Sequence, residues 1–380
     1  MSVIRFLDKV QDSGLYQAFI TKLSPLLTEP QFTKYLTPVY NETKDWKGIE
    51  AYIGRIPMAS LIDEHSGSPI VGTLKPAEIR GRLPMFGNTV PFSSDELDEI
   101  SKLEAFIEQN VASGNQALAD QLTDQLTDLL VNRYIDMLAG MPLTTIDKLF
   151  FEMWSNGTET VLAADNLAGL SYQIDWEVKK YHVGTVWTDA ANATGLADLD
   201  KFCYRIWKDL NFKPDTLALN SDEIRKLLAQ ASTKSAITSY ISSGGMQTKV
   251  AGIPSLDNVN MVLMGQYRLP SITEIDFPID ILDENGIDVK QTMNGFIDGR
   301  VSATLGTQLG AYMYTLDAEQ KRPDKEYTYA TAANNVLLAS ISKKGNLTME
   351  SKLNALPVLT VRKRMAILVT DDTTTGSALA

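Results

Sequence analysis

The 380-residue sequence predicts an α+β fold, and three observations carry that reading. Residues 93–138 place apolar side chains at helical spacing, short strand-like runs follow at 144–176, and beyond residue 196 helices and strands alternate before further strands close the chain.

Residues 1–50 read as an arm, because Pro25, Pro30 and Pro38 cut helix-forming sequence into short pieces. Residues 51–91 read as extended: Gly54, Pro57, Gly67, Pro69, Gly72, Pro76, Gly81, Pro84 and Gly87 recur too densely for a helix. A connection of that length implies a task such as reaching a partner.

A helix is predicted to start at Ser93, whose hydroxyl and the Glu96 carboxylate make a capping box, with Asp95, Glu96 and Asp98 favoured by the dipole of the first turn. Leu97, Ile100, Leu103, Ile107 and Val111, then Leu118, Leu122, Leu126, Leu129 and Tyr134, predict a face that is apolar throughout. Gly114 costs about 1 kcal/mol against Ala inside a helix, so a break is expected at 113–115, with 115–138 the longer straight piece. The plainer alternative is a pair of ordinary core helices.

Residues 144–146, 158–161 and 172–176 read as strands, with a hairpin candidate at Asn156-Gly157. A separate α/β unit follows: helix 196–210 with the stripe Leu199, Phe202, Ile206 and Leu210, strand 216–219, helix 221–231 capped by Ser221 ahead of Asp222 and Glu223, and strand 259–264. Ile279, Ile281, Ile287 and Val289 alternate around Asn285-Gly286, a hairpin signal. Strands at 335–338, 356–361 and 365–369 are expected to return and complete the sheet begun at 144–176, with 371–380 frayed.

Composition restricts the chemistry. A formal net charge of −12 disfavours nucleic-acid binding through the overall field, leaving only local basic groups at Lys75, Arg80 and Arg82 and at Arg362, Lys363 and Arg364. With 44% hydrophobic and 22% charged residues the chain is that of a folded protein, and no apolar run approaches the roughly 18 residues a membrane span needs. Arg5, Asp8, Lys9 and Asp12 interrupt the N-terminus, which predicts synthesis inside the cell without a secretory signal. The single cysteine, Cys203, lies on the stripe of helix 196–210 and reads as a buried thiol.

His65 and His182 stand far apart, outside any zinc-ligand spacing. Ser242-Ser243-Gly244-Gly245 is no phosphate loop, no G-x-S-x-G elbow occurs, and residues 281–292 lack the terminal carboxylates of a calcium loop. An acidic glycoside hydrolase working through paired carboxylates is the enzyme reading compatible with these residues.

Several phrases, in order, carry a resemblance. They are Tyr172-Gln173-Ile174-Asp175-Trp176, then Thr185-Val186-Trp187-Thr188-Asp189 ahead of Asp198 and Leu199, then residues 216–220 before a helix at Ser221. Asn260-Met261-Val262-Leu263-Met264-Gly265 follows, and the ending runs from Glu350-Ser351 through Ala355-Leu356-Pro357-Val358-Leu359 to Ala366-Ile367-Leu368-Val369. Over about the last half of the chain this resembles the lambda-type major head proteins of tailed bacteriophages, which share the tailed-phage major capsid fold.

The resemblance implies an N-terminal arm at 1–50, an extended E loop at 51–92, a long spine helix and the first part of a peripheral domain at 93–189, and an axial domain at 190–330. Returning strands of the peripheral domain would lie at 331–372 and a flexible tail at 373–380. It implies a structural protein without catalytic, cofactor or metal residues, which self-assembles as hexamers and pentamers into an icosahedral shell enclosing double-stranded DNA without sequence-specific binding. Such a protein is assembled in the bacterial host cytoplasm, resides in the virion capsid, touches no membrane, and has a separate scaffolding protein, a portal and a decoration protein as partners. On this reading Lys75, Arg80 and Arg82 of the loop are candidates to meet Glu96, Asp98, Glu99, Asp120 and Asp124 of a neighbouring copy, with Glu78, Arg362 and Arg364 as further contact candidates. A non-viral nanocompartment shell of the same fold is the nearest alternative.

Overall fold

The computed structural model describes residues 6–23, 29–50, 77–130, 135–243, 254–283, 286, 288–343 and 346–379. In chain order these form α1 (Phe6–Gln11), α2 (Ser13–Leu23), β1 (Leu36–Tyr40), β2 (Asp45–Glu50), β3 (Ala77–Arg82), β4 (Met85–Phe86), β5 (Thr89–Phe92), α3 (Ser94–Ala112), α4 (Gln116–Leu130) and α5 (Asp136–Asn156). There follow β6 (Thr158–Val161), β7 (Tyr172–Asp175), β8 (Lys179–His182), α6 (Gly195–Leu210), β9 (Thr216–Leu219), α7 (Ser221–Ala229), α8 (Ala231–Ser243), α9 (Leu256–Val262), β10 (Ile272–Glu274), β11 (Pro278–Leu282) and β12 (Val289–Asn294). The chain closes with β13 (Arg300–Thr304), β14 (Gly310–Thr315), α10 (Ala318–Lys321), β15 (Thr328–Thr331), β16 (Leu337–Lys343), β17 (Asn346–Leu359), β18 (Met365–Val369) and β19 (Ser377–Ala378). The fold is α+β.

Two units interleave along the chain. The first comprises Met1–Trp46, Gly81–Asp147 and Tyr312–Val358, and the second Lys47–Arg80, Lys148–Ala311 and Leu359–Ala380. The divisions fall at 46/47, 80/81, 147/148, 311/312 and 358/359.

The first unit is built on the 14-residue β17, the centre of a seven-stranded sheet ordered β1-β14-β17-β16-β15, to which β4 and β5 add by pairing with β17. Its registers tie distant segments together: Leu337 opposite Lys352, Leu347 opposite Phe92 and Leu353 opposite Phe86. The arm is docked on this sheet. Gln17 accepts from the Thr331 amide at 2.8 Å and donates to the Thr331 carbonyl at 3.0 Å, and the Ser340 hydroxyl donates to the Val10 carbonyl at 2.6 Å. Phe6, Tyr16 and Ile20 are buried, and Phe6 and Ile20 are each worth roughly 1.5–3 kcal/mol of apolar transfer.

The second unit holds a six-stranded mixed sheet ordered β10-β9-β13-β18-β8-β19, antiparallel on both sides of β13 and parallel between β18 and β8. α6 lays Leu199, Phe202, Cys203 and Ile206 into its core, against Tyr181, Leu217, Val301 and Leu368. Two hairpins, β6–β7 and β11–β12, pair only within themselves among the described residues.

Most sequence-predicted elements appear where expected, including the hairpin around residue 286 and strands 158–161, 216–219 and 365–369. The break at Gly114 is present: its φ of +78° is the left-handed region that only glycine adopts cheaply, and Asn115 then opens α4. Beyond it α4 is described as far as Leu130, and the expected straight piece 115–138 runs on into residues outside the described ones; the stripe is not apolar throughout in burial, because Val111 and Leu118 face solvent.

Residues 144–146 are helix, not strand. Ala139, Leu143, Ile146, Leu149, Phe150 and Met153 lie buried on one helical face at three- and four-residue spacings, which outweighs the strand preference of Thr144-Thr145-Ile146, and Thr145 turns its hydroxyl onto the Met141 carbonyl at 3.1 Å. Asn156-Gly157 is the end of that helix, not a hairpin turn: Gly157 sits at φ +68° and its amide closes on the Met153 carbonyl at 2.9 Å. Residues 259–264 are α9 running into a π turn at Leu263–Tyr267, started by a Ser255 cap. The cap of α7 is Asn220, one residue ahead of Ser221, accepting from the Glu223 amide at 2.9 Å. Asn334 and Asn335 take left-handed backbone, so the strand predicted at 335 begins at Leu337.

The returning strands do not complete the 144–176 segment. β16 and β17 build the first unit's sheet, while β18 enters the second unit's sheet between β13 and β8. The tail predicted to fray contributes β19, parallel to Tyr181 and His182 of β8.

Candidate interaction surfaces

α3 and α4 pack on each other as a helical hairpin, because each buries one stripe: Leu97, Ile100 and Ile107 on α3, and Ala119, Leu126 and Leu130 on α4. The opposite faces are charged. Asp98 and Glu99 on α3 and Asp120 and Asp124 on α4 are all exposed, and Asp128, which sequence reading passed over, continues the α4 row at the same four-residue interval. Asp120 accepts from Gln116 Nε2 at 2.8 Å. Glu96 has a local duty instead: its Oε2 accepts from the Ser93 amide at 2.9 Å and completes the capping box.

Near the turn of this hairpin Phe106 is 54% exposed, Val111 39% and Leu118 40%.

Of the basic candidates, Arg80 and Arg82 are exposed on β3, Glu78 lies on the same strand, and Lys75 lies outside the described residues. Arg362 donates to Glu177 Oε2 of its own unit at 2.9 Å. Arg364 is half-buried, and its Nε is buried without a hydrogen-bond partner. The structure thus gives Arg362 an intrachain acidic partner, which the run of three basic residues did not reveal.

In the second unit the exposed apolar groups are Leu162, Leu167 and Leu170 in the β6–β7 connection, Tyr204 and Trp207 on α6, Met261 and Met264 at α9 and its π turn, and Val289 at the start of β12. The spacing of α6 could have flagged Tyr204 and Trp207, since both fall off its buried stripe. The leucines 162, 167 and 170 sit in an irregular connection, which periodicity does not read.

The single thiol and one carboxylate pair are enclosed. Burial pushes the Cys203 thiol up to about 12, with the Asp200 charge adding to the shift. A carboxylate pair does exist at Glu152 and Glu159, but both side chains are buried. His182 is half-buried at the end of β8, and His65 lies outside the described residues. Among the described residues no cluster of three or more His, Cys, Asp or Glu side chains is placed to hold a metal, and no helix is long and apolar enough to cross a membrane.

No family model matches the sequence, and no curated protein matches it. Among solved structures the chain is similar to an Escherichia coli CFT073 prophage protein described as a capsid protein, at 9% identity and a TM-score of 0.48 over 94% of this chain and 98% of that one. It is also similar to a chain of the cyanophage A-1(L) capsid asymmetric unit (12% identity, TM-score 0.42, 92% and 94% covered) and to one of the capsid of the Myoviridae phage XM1 (13%, 0.41, 92% and 91%).

Proposed function

We propose that this chain is a structural, non-enzymatic shell subunit of the tailed-phage major capsid fold, which self-assembles as hexamers and pentamers into an icosahedral capsid around double-stranded DNA. The observation that carries the reading is the α3–α4 hairpin, which turns Phe106, Val111 and Leu118 to solvent beside rows of carboxylates. A single copy gains nothing from exposing them; a neighbouring copy that covers them gains their transfer energy. The ordered phrases read from the sequence, and the capsid descriptions of the proteins compared above, agree with it in kind.

In this reading the spine is α5, the longest of the described helices at 21 residues, since Gly114 divides residues 93–138. The E loop falls within residues 51–92, the axial domain within 190–330, and the returning strands β16 and β17 supply the peripheral sheet. Arg80 and Arg82 meet the carboxylates of α3 and α4 on an adjacent copy. The shell is assembled in the host cytoplasm with a scaffolding protein, a portal and a decoration protein. Its acidic charge suits a lining that must release DNA, because each phosphate contact would add salt-dependent affinity.

The test is size-exclusion chromatography and negative-stain microscopy of the chain co-expressed with candidate scaffold, beside Phe106→Lys/Leu118→Lys and Arg80→Glu/Arg82→Glu variants. Particles from the parent chain, lost in both variants at unchanged melting temperature of the unassembled protein, are expected. A parent chain that stays monomeric with scaffold present and hydrolyses a glycoside would overturn the reading.

A further inference from the structure

The second unit contains a charge arrangement for which shell formation has no use. α5 supplies Lys148 and Glu152, β6 supplies Glu159, and β7 and the residue after it supply Tyr172 and Trp176. Lys148 Nζ lies 2.9 Å from Glu152 Oε2 and also donates to the Thr160 carbonyl. Glu152 accepts in addition from the Thr160 amide at 3.2 Å and the Thr158 hydroxyl at 3.4 Å. The one ammonium is therefore matched to one carboxylate.

Glu159 is the second carboxylate, and it is fully buried. Its Oε1 accepts from Trp176 Nε1 at 2.8 Å, while its Oε2 and the Tyr172 hydroxyl are both buried without partners. An ionised Glu159 would place a second negative charge, fully buried, beside a carboxylate already matched to the one ammonium, a costly state that protonation removes. Burial first, and then the Glu152 charge, hold the Glu159 carboxyl well above the usual range, against the opposing pull of Trp176 and Lys148. Tyr172 is raised as well, by burial and by the Glu159 charge, so Glu159 is the group that titrates.

We propose that the β6–β7 hairpin is a proton-operated latch, closed on α5 while Glu159 is protonated and released as that proton is lost. Because the carboxyl's folded value is raised above its unfolded one, the stabilisation is fully present below the ordinary carboxylate range and declines as pH rises towards the folded value. Across that window each pH unit weakens the closed state by up to about tenfold. The hairpin's connection carries Leu162, Leu167 and Leu170, tethered by Lys290 to Asp165 at 3.2 Å, so release alters how an apolar tip is presented. The latch goes beyond the shell reading and stands or falls without it.

Hydrogen exchange of the amides at 158–161 and 172–175, measured on the full chain from about pH 5 to 8 and corrected for the intrinsic pH dependence of exchange, reads the latch directly. The opening constant of the parent protein should rise by up to tenfold per pH unit over part of that range. Glu159→Gln should be flat, and Glu152→Gln, which frees Lys148 for Glu159, should move the rise to lower pH. A flat parent profile, or a parental slope retained in Glu159→Gln, overturns the proposal. Should Glu159→Gln fail to fold, carbon-13 titration of the Glu159 carboxyl in the parent decides: a raised midpoint supports the latch, and a midpoint at the ordinary 4.5 refutes it.

Discussion

Replacing Glu223 with alanine should destabilise the second unit by about 3–5 kcal/mol, because one carboxylate there joins three chain segments. Glu223 is fully buried in the first turn of α7. Its Oε1 accepts from the Gly299 amide, just ahead of β13, at 3.0 Å, and its Oε2 accepts from the Thr370 hydroxyl, just past β18, at 2.6 Å. Alanine strands both donors in the interior at about 1–3 kcal/mol each. The pairing with Lys226 adds little, since the lysine side chain is 31% exposed and regains water, so roughly 1 kcal/mol or less is lost there. Thr370→Val removes one donor and keeps the other bond, and should cost about 1–2 kcal/mol. Since a chain of two units need not unfold in one step, the readout is hydrogen exchange of the β13 and β18 amides. A loss under about 1 kcal/mol in Glu223→Ala, or strict additivity in the double variant, would refute the junction, because residues sharing a bond must couple.

Two further outcomes follow from local geometry. Gly157→Ala should cost about 2–4 kcal/mol in hydrogen exchange of the α5 and β6 amides, since its φ is +68° and the new methyl would stand 2.8 Å from Val178 Cβ; a change within about 0.5 kcal/mol would contradict that crowding. Cys203, with its thiol held near 12, should resist a maleimide or disulfide reagent at neutral pH until the protein is unfolded, and rapid stoichiometric labelling of the native chain would show that α6 does not bury it.

What could be read in advance follows the range of the interactions. The capping box at Ser93, the break at Gly114, the stripe of α6 and the hairpin around residue 286 depend on neighbours within a few residues, and all are present. Thr144-Thr145-Ile146 and residues 259–264 were misassigned because short apolar or β-branched runs fit a buried helix and a buried strand equally well. Only the packing of Ala139 through Met153, spread over four turns, decides the first case. The Glu152–Glu159 pair was invisible for another reason: nothing in Glu-Met-Trp-Ser-Asn-Gly-Thr-Glu announces that a helix end and a strand will enclose both carboxylates.

β18 shows how far a short segment can be read without its partners. Met365-Ala366-Ile367-Leu368-Val369 has no polar alternation, which fits an interior strand covered on both faces, and all five residues are buried in β18. That much is local. Which strands flank it is not, since any two with apolar faces would satisfy the same pattern. The structure places it between β13 and β8, more than 60 and more than 180 residues earlier, as the pairs Arg300–Val369 and Lys179–Ala366 show. Without this strand, β13 and β8 would each present a row of unpaired backbone groups along an apolar core, the arrangement most prone to wrong pairing. The second unit's sheet is therefore completed only once residues 365–369 are available to fill the gap between β13 and β8.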